Sequence, residues 1–339
     1  FVPDSLRARP AMPRAHVFRS HSAPVRLQWI AILAVLTLSL SQVACESAPE
    51  TEAGALPEAE SASGTDLPVD PAYLTAELWN DGQAEVAFYQ VERTQDQYGR
   101  PEPQSFMAGT YLVKHRFSRE TMSKVTDGSG VSAFKSALFY EFESDSYQHK
   151  RNWVVNARQS DLAPLKQSFT SFDWCSNLFR EMRYAANGSI EIEKRSDDYG
   201  NGRETVSGGA SVVPPAHVIL LVRALAFGGD PRTQFSVLSP DGAAVGVTAV
   251  LSGTETLDLP GADREAERIE LTYDAPAASP VGEKTGTTET YWLGTGEARQ
   301  LLKMSGDDGR YTMTLVEELR TPYWRENLWP RLARVQERP

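Results

Sequence analysis

From residue 84 onward the chain is a succession of short runs rich in β-branched and aromatic residues, cut by turn signals. Such runs stand at residues 84–91, 109–117, 137–142, 153–156, 179–184, 189–194, 245–251, 268–273, 288–293, 301–304 and 311–317. Strict apolar/polar alternation in Ser-Ile-Glu-Ile-Glu-Lys (189–194) and Arg-Ile-Glu-Leu-Thr-Tyr (268–273) marks strands with one wet face. Asn187-Gly188 between two such runs is the strongest hairpin signal. Asp81-Gly82 and Asp308-Gly309 are lesser turn signals.

One segment has the composition of a helix. Pro214-Pro215 precede residues 216–227 (AHVILLVRALAF), and Gly228-Gly229 follow, which matches the placement of Pro before and Gly after a helix. The segment is apolar nearly all round and is expected to be buried. The expected fold is therefore mainly β. It comprises one or more large curved antiparallel sheets with one main apolar helix near 215–227.

The charge balance narrows the function classes. With 45 acidic against 34 basic side chains the formal charge is −11, so the basic surface that phosphate binding requires is missing. Nucleic acid is not an expected partner. Two cysteines, Cys45 and Cys175, rule out a disulfide framework and a thiolate zinc cluster.

The N-terminal 45 residues read as an address. Residues 12–26 carry Arg14, Arg19 and Arg26 and no acid, and Met12 is an internal candidate start. An apolar run at 27–40 follows and ends in Ser41-Gln42-Val43-Ala44-Cys45. A basic region, a short apolar region and a small residue before the cut describe a signal peptide. A membrane span needs about 20 apolar residues, more than this run supplies. Val-Ala-Cys resembles the lipobox of bacterial lipoproteins, which implies acylation of Cys45 and a tether to the membrane. Glu46 after the Cys leans, in that class of signals, toward the outer membrane. Ordinary secretion and an uncleaved anchor are the other readings, and Gln42 fits neither peptidase well. Residues 46–70 carry seven acids and no base and lack apolar periodicity, so a disordered acidic linker is expected. The exported β-rich domain is expected over 71–339.

A search for chemistry finds little. HExxH, the Walker loop, GxSxG and GxGxxG are absent, and no cofactor or metal site is expected. His115 and His149 read as surface or hydrogen-bonded residues, and His217 opens the helix. A Ser/His/Asp set can be picked from any such chain and carries no weight by sequence alone. Asp197-Asp198-Tyr199-Gly200-Asn201-Gly202 reads as a turn, since the closing Glu and alternating oxygens of an EF-hand are missing. Trp174 and Cys175 read as a core pair, because free Cys is among the most buried residue types.

Two resemblances follow from these segments. Trp79-x-x-Gly82-x-Ala84-Glu85 with Tyr89, then Tyr98-Gly99, then Trp174-Cys175 with Phe179 and Glu181, resembles a group of uncharacterised bacterial exported proteins. Some of its members carry the automated name septum formation inhibitor Maf, which belongs to cytosolic enzymes and does not fit an exported chain. Gln97, Ser176 and Phe179 stand where that pattern has Arg, Gly and Tyr. Residues 214–223 before a Gly turn, Gly253-Thr254-Glu255 with Pro260-Gly261, and Tyr291-Trp292-Leu293 are similar to the domain-of-unknown-function 3108 proteins. That likeness implies an exported curved sheet akin to the lipoprotein carriers LolA and LppX, or a two-sheet variant, and brings no catalytic residue.

The expected protein is a membrane-tethered lipoprotein of the bacterial envelope, periplasmic or outer-membrane. Its expected activity is non-enzymatic binding of an apolar ligand or an envelope partner. Phe88, Tyr111, Phe139, Trp153 and Trp292 would line a concave face covered by residues 216–227. In a carrier that face would hold lipid; otherwise the helix fills it as core. The alternative is a hydrolase acting on envelope or extracellular polymer through carboxylates such as Glu85, Glu141 or Glu181.

Overall fold

A computed structural model describes residues 66–331, apart from 98, 99, 145, 146, 210, 240, 241, 285, 307, 308 and 329. The expected signal segment, Cys45 and residues 46–65 of the expected linker lie outside these. The last residues of that linker are part of the fold: Leu67 is buried and Val69 bridges Leu225. The Ala226 N–H donates to Pro68 O at 2.9 Å, and the Asp70 N–H to Ala224 O at 2.7 Å. The ordered domain thus begins before residue 71, because Leu67 has apolar surface to bury.

A short helix α1 (Pro71–Thr75) is the first element among the described residues, with Asp70 as its N-cap accepting from the Ala72 N–H at 2.9 Å. A 3-10 turn at Glu77–Asn80 follows. The first strands are β1 (Ala84–Gln97), β2 (Arg100–Ser118), β3 (Ser123–Val125), β4 (Val131–Ser144), β5 (Tyr147–Arg158) and β6 (Pro164–Phe172). Next come β7 (Asn177–Tyr184), β8 (Ser189–Ser196), β9 (Gly202–Ser207) and β10 (Val212–Val213). After helix α2 (Val218–Ala224) the chain forms β11 (Arg232–Leu238), β12 (Ala244–Leu259), β13 (Ala262–Tyr273), β14 (Ala278–Ser279) and β15 (Glu283–Lys284). It closes with β16 (Thr288–Gly294), β17 (Leu301–Gly306) and β18 (Tyr311–Thr321).

The main-β expectation is met by one large open sheet. Sixteen strands join it in the order β10-β11-β12-β13-β16-β17-β18-β1-β2-β4-β5-β6-β7-β8-β9, with β3 on β2. Every pair is antiparallel except β10–β11. The sheet curls so that strands from both of its arms share one core with α2: Tyr89, Leu112 and Leu138 on one side, Ala249, Ile269 and Leu293 on the other. At the rims, Met182, Tyr184, Ile190 and Ile192 pack against Val212 and Leu238, so side chains meet where no ladder hydrogen bonds are made.

The middle strands are buried on both faces. Ala87, Tyr89 and Val91 of β1 face the inner core. Val86 and Phe88 face outward beneath Tyr323, Trp324 and Leu328 of the C-terminal segment. That double burial explains why Val86-Ala87-Phe88-Tyr89 are apolar in succession rather than alternating.

The expected main helix near 215–227 is not formed. A 3-10 turn (Pro215–His217) leads into the seven residues of α2, all buried, and Leu225 is extended at φ −60°, ψ 134°. The bridge to Val69 takes Leu225 out of the helix three residues before the Gly pair.

Residues 67–80 cover one end of the curl. Leu67, Leu74 and Trp79 join the core there, and Trp79 Nε1 donates to Tyr73 O at 2.6 Å. Gln159, in the β5–β6 turn, donates to Leu74 O at 2.8 Å, so that turn lies at the covered end. Because the strands are antiparallel, the β4–β5, β6–β7 and β8–β9 turns lie at the opposite end.

Candidate functional site

The five aromatics expected on one concave face are not brought together. Phe88, Gly109 and Phe139 occupy one row across β1, β2 and β4, so both rings point outward. A Cβ on Gly109 would lie 2.4 Å from Phe139 Cζ, which is why the ring can lie over that strand. Tyr111 is also outward, its ring 4.9 Å from that of Tyr323. Trp292 lies in one row with Lys303, Thr314 and the outward Gln90, under the Lys303 ammonium (5.2 Å), and donates to Glu255 at 2.5 Å. Trp153 pairs with the inward Leu138 and faces the interior, its ring 4.0 Å from that of Phe169. Strand alternation decided this: the five residues fall on opposite parities of their strands.

The interior is occupied. Beneath α2, a cavity of about 20 Å³ is bounded by Glu85, Tyr89, Trp153, Ile219, Arg223 and Leu301. That is room for a single water, not an acyl chain. The helix acts there as core.

The three acids of the hydrolase alternative are dispersed. Glu85 is buried against Arg223. Glu181 is buried between Lys166 at 3.4 Å and Arg183 at 2.6 Å. Glu141 is exposed beside Lys150. A further acid, Glu289, is buried among three phenols: Tyr273 at 2.5 Å, Tyr291 at 2.9 Å and Tyr311. Burial pushes its carboxyl above the usual range, while the phenol hydrogen bonds pull it down. Alternation places Glu289 on the inner face of β16 with Tyr291 and Leu293, a position the residue type alone does not reveal.

The end of the sheet opposite residues 67–80 carries the most unusual surface. Trp174 is 79% exposed, Tyr199 70% and Phe172 46%, and these are the exposed large hydrophobics among the described residues. All three sit at the β6–β7 and β8–β9 turns. The two turns are joined by Asn177 N–H to Asp197 Oδ2 (3.2 Å) and Asp197 N–H to Asn177 O (3.3 Å). The expectation of a buried Trp174-Cys175 pair is thereby overturned, since Cys175 is exposed too. The pair falls in a four-residue turn, whose residues lie beyond the sheet and have no core to enter.

At the base of this end, three polar side chains converge. His149 Nε2 is 2.9 Å from Ser144 Oγ, and His149 Nδ1 is 3.2 Å from Asp173 Oδ2. Asp173 Oδ1 accepts from the backbone N–H groups of Cys175 and Ser176, each at 2.8 Å. The imidazole stacks on Phe142 at 4.7 Å and 11°. Burial lowers the His149 pKa, as do the nearby Arg151 and Arg93 charges, against the opposing pull of Asp173. Sequence reading missed this set because its members lie on β4, β5 and the β6–β7 turn. Only the register places them on one face: Phe142 pairs with His149, and Lys150 with Phe172.

The other histidines offer no such partner set. His115 Nε2 lies 3.0 Å from Asn156 Oδ1. His217 is fully buried, and neither ring nitrogen has a hydrogen-bond partner among the described residues. No group of three or more His, Cys, Asp or Glu placed to hold a metal ion occurs among the described residues.

No protein-family model matches this chain, and no curated protein matches it. Among solved structures, a β-barrel-like protein of the domain of unknown function DUF1849 from Brucella abortus aligns with a TM-score of 0.45 at 10% identity. The alignment covers 70% of this chain and 98% of that one.

Proposed function

We propose that this chain is a bacterial envelope lipoprotein, tethered through Cys45, whose domain docks an envelope partner through the aromatic turns at its free end. The observation that carries this reading is the concentration of Phe172, Trp174 and Tyr199 on two linked turns. Large aromatic rings left in water are what protein interfaces use as anchors. These turns lie away from residues 67–80, where the chain arriving from Cys45 joins the fold, so a tethered domain would present them outward. The apolar-ligand version of this reading has less support, since the cavity described beneath α2 has about 20 Å³, room for one water. A hydrolase working through paired carboxylates has less still, because Glu85, Glu141 and Glu181 are each held by a basic side chain.

Metabolic labelling with a fatty-acid probe tests the tether: the wild type should label and fractionate with membranes, and Cys45→Ala should do neither. An unlabelled wild type would end the lipoprotein reading. In-cell photocrosslinking from position 174 tests the docking surface. It should yield one dominant adduct that is lost in a Tyr199→Ala, Phe172→Ser background; a diffuse adduct pattern would remove the support for docking there.

A further inference from the structure

We infer that Ser144, His149 and Asp173 form a nucleophilic acyl-transfer site, with Ser144 as nucleophile, that accepts carboxylic esters. This goes beyond the docking reading and does not depend on it. The argument rests on which atoms face which. Ser144 meets Nε2 and Asp173 meets Nδ1, on opposite sides of one imidazole. With Asp173 holding the proton on Nδ1, Nε2 has its lone pair free to take the Ser144 hydroxyl proton. The other acceptor near Ser144 Oγ, the Tyr147 carbonyl, is farther away at 3.4 Å.

Each member is held in place. The two turn N–H groups fix Asp173 through its second oxygen, and the flat stack on Phe142 fixes the plane of the imidazole. The Phe142 ring also lies 4.4 Å from the Arg93 guanidinium carbon and 5.2 Å from that of Arg151. These cations help keep His149 neutral, the form a general base needs. Tyr147, whose ring is 5.0 Å from that of His149, gives the site an aromatic rim. That rim favours an ester with an apolar acyl or alcohol group.

The reaction balances without a co-reactant other than water. Ser144 Oγ bonds to the ester carbonyl carbon while its proton passes to His149 Nε2. Collapse breaks the bond to the alcohol oxygen, which leaves with that proton. Water then adds to the acyl-serine, again giving its proton to His149, and the acid is released as Ser144 recovers the proton.

A fluorophosphonate probe applied to the full chain, followed by peptide mapping, tests the site. The wild type should carry the adduct on Ser144, and Ser144→Ala should lose it. His149→Ala and His149→Gln should slow labelling by about 100-fold, the usual worth of a positioned base. Asp173→Asn should slow it at least about tenfold. Thermal midpoints of the variants establish that they are folded. Cys45→Ala should label like the wild type, so loss of the tether and loss of this site are read separately. A wild type unlabelled at Ser144, or a folded His149→Gln labelled at the wild-type rate, would overturn the assignment.

Discussion

Arg223 of α2 donates to both carboxylate oxygens of Glu85 on β1, at 2.8 and 2.7 Å, inside the curl of the sheet. The same guanidinium donates to the carbonyls of Ala298 (2.6 Å) and Arg299 (3.0 Å), so one side chain ties the helix to β1 and to the β16–β17 turn. Two buried charges are costly to desolvate, and the arrangement holds because each has strong partners.

Removing one partner of this pair should therefore be worse than removing both. Arg223→Met is expected to destabilise the domain by about 3–5 kcal/mol, since Glu85 would be left buried and unpaired. Adding Glu85→Leu should recover much of that loss. Urea unfolding of the single and double variants measures the difference.

The buried histidines make stability fall on mild acidification. Burial pushes His217 down to about 3 and His115 down to about 4. Both stay neutral in the fold while the unfolded chain takes up protons below its ordinary pKa of 6.5. The stability they allow is present above pH 6.5 and is lost as pH falls toward their folded values. The slope is about 1.4 kcal/mol per pH unit for each group. Urea midpoints at pH 7, 6 and 5 should drop accordingly, and His217→Leu should make the slope between pH 6 and 5 shallower.

Trp174 and Cys175 should behave as surface residues. Native protein is expected to react with a thiol reagent at Cys175 without denaturant, and iodide should quench Trp174 fluorescence. Trp174→Ala should change unfolding stability by less than about 0.5 kcal/mol, as for other exposed positions.

Gly128 and Gly130 separate backbone strain from steric conflict. Both have positive φ, +80° and +77°, but a Cβ on Gly130 would sit 2.4 Å from the Phe117 carbonyl oxygen, while Gly128 faces open space. Gly128→Ala should cost about 1–2 kcal/mol for the left-handed conformation alone. Gly130→Ala should cost clearly more, because the clashing atom is backbone and belongs to the β2 ladder. Thermal unfolding of the two variants gives the comparison.

Local patterns in the sequence predict much of this fold. Alternation at 189–194 matches β8, where Ile190 and Ile192 are buried and Glu191 is exposed. Asn187-Gly188 sits in the β7–β8 turn with Gly188 at φ +83°. The Pro-and-Gly frame around 216–227 predicts a main helix that the fold does not form: only the seven residues of α2 are α-helical there. It could not reveal that Leu225 is drawn into a bridge with Val69, a contact between positions more than 150 residues apart. The hydrophobicity of Trp174 predicts burial, but its place in a turn beyond the sheet keeps it in water.

The sequence by itself determined the β character, the Asn187-Gly188 hairpin and the absence of a recognised catalytic motif, because each depends on residues within a few positions of one another. Which faces of the strands look inward, and which side chains meet, was decided only by the tertiary structure. Phe88 and Phe139 went outward and Trp153 inward because each strand's parity is set by its partner's register. Ser144, His149 and Asp173 met because β4, β5 and β6 are neighbours whose ladders put those positions on one face. A side chain's local context carries no record of that pairing: the contacts that set register are summed over whole strands and over the filling of a common core.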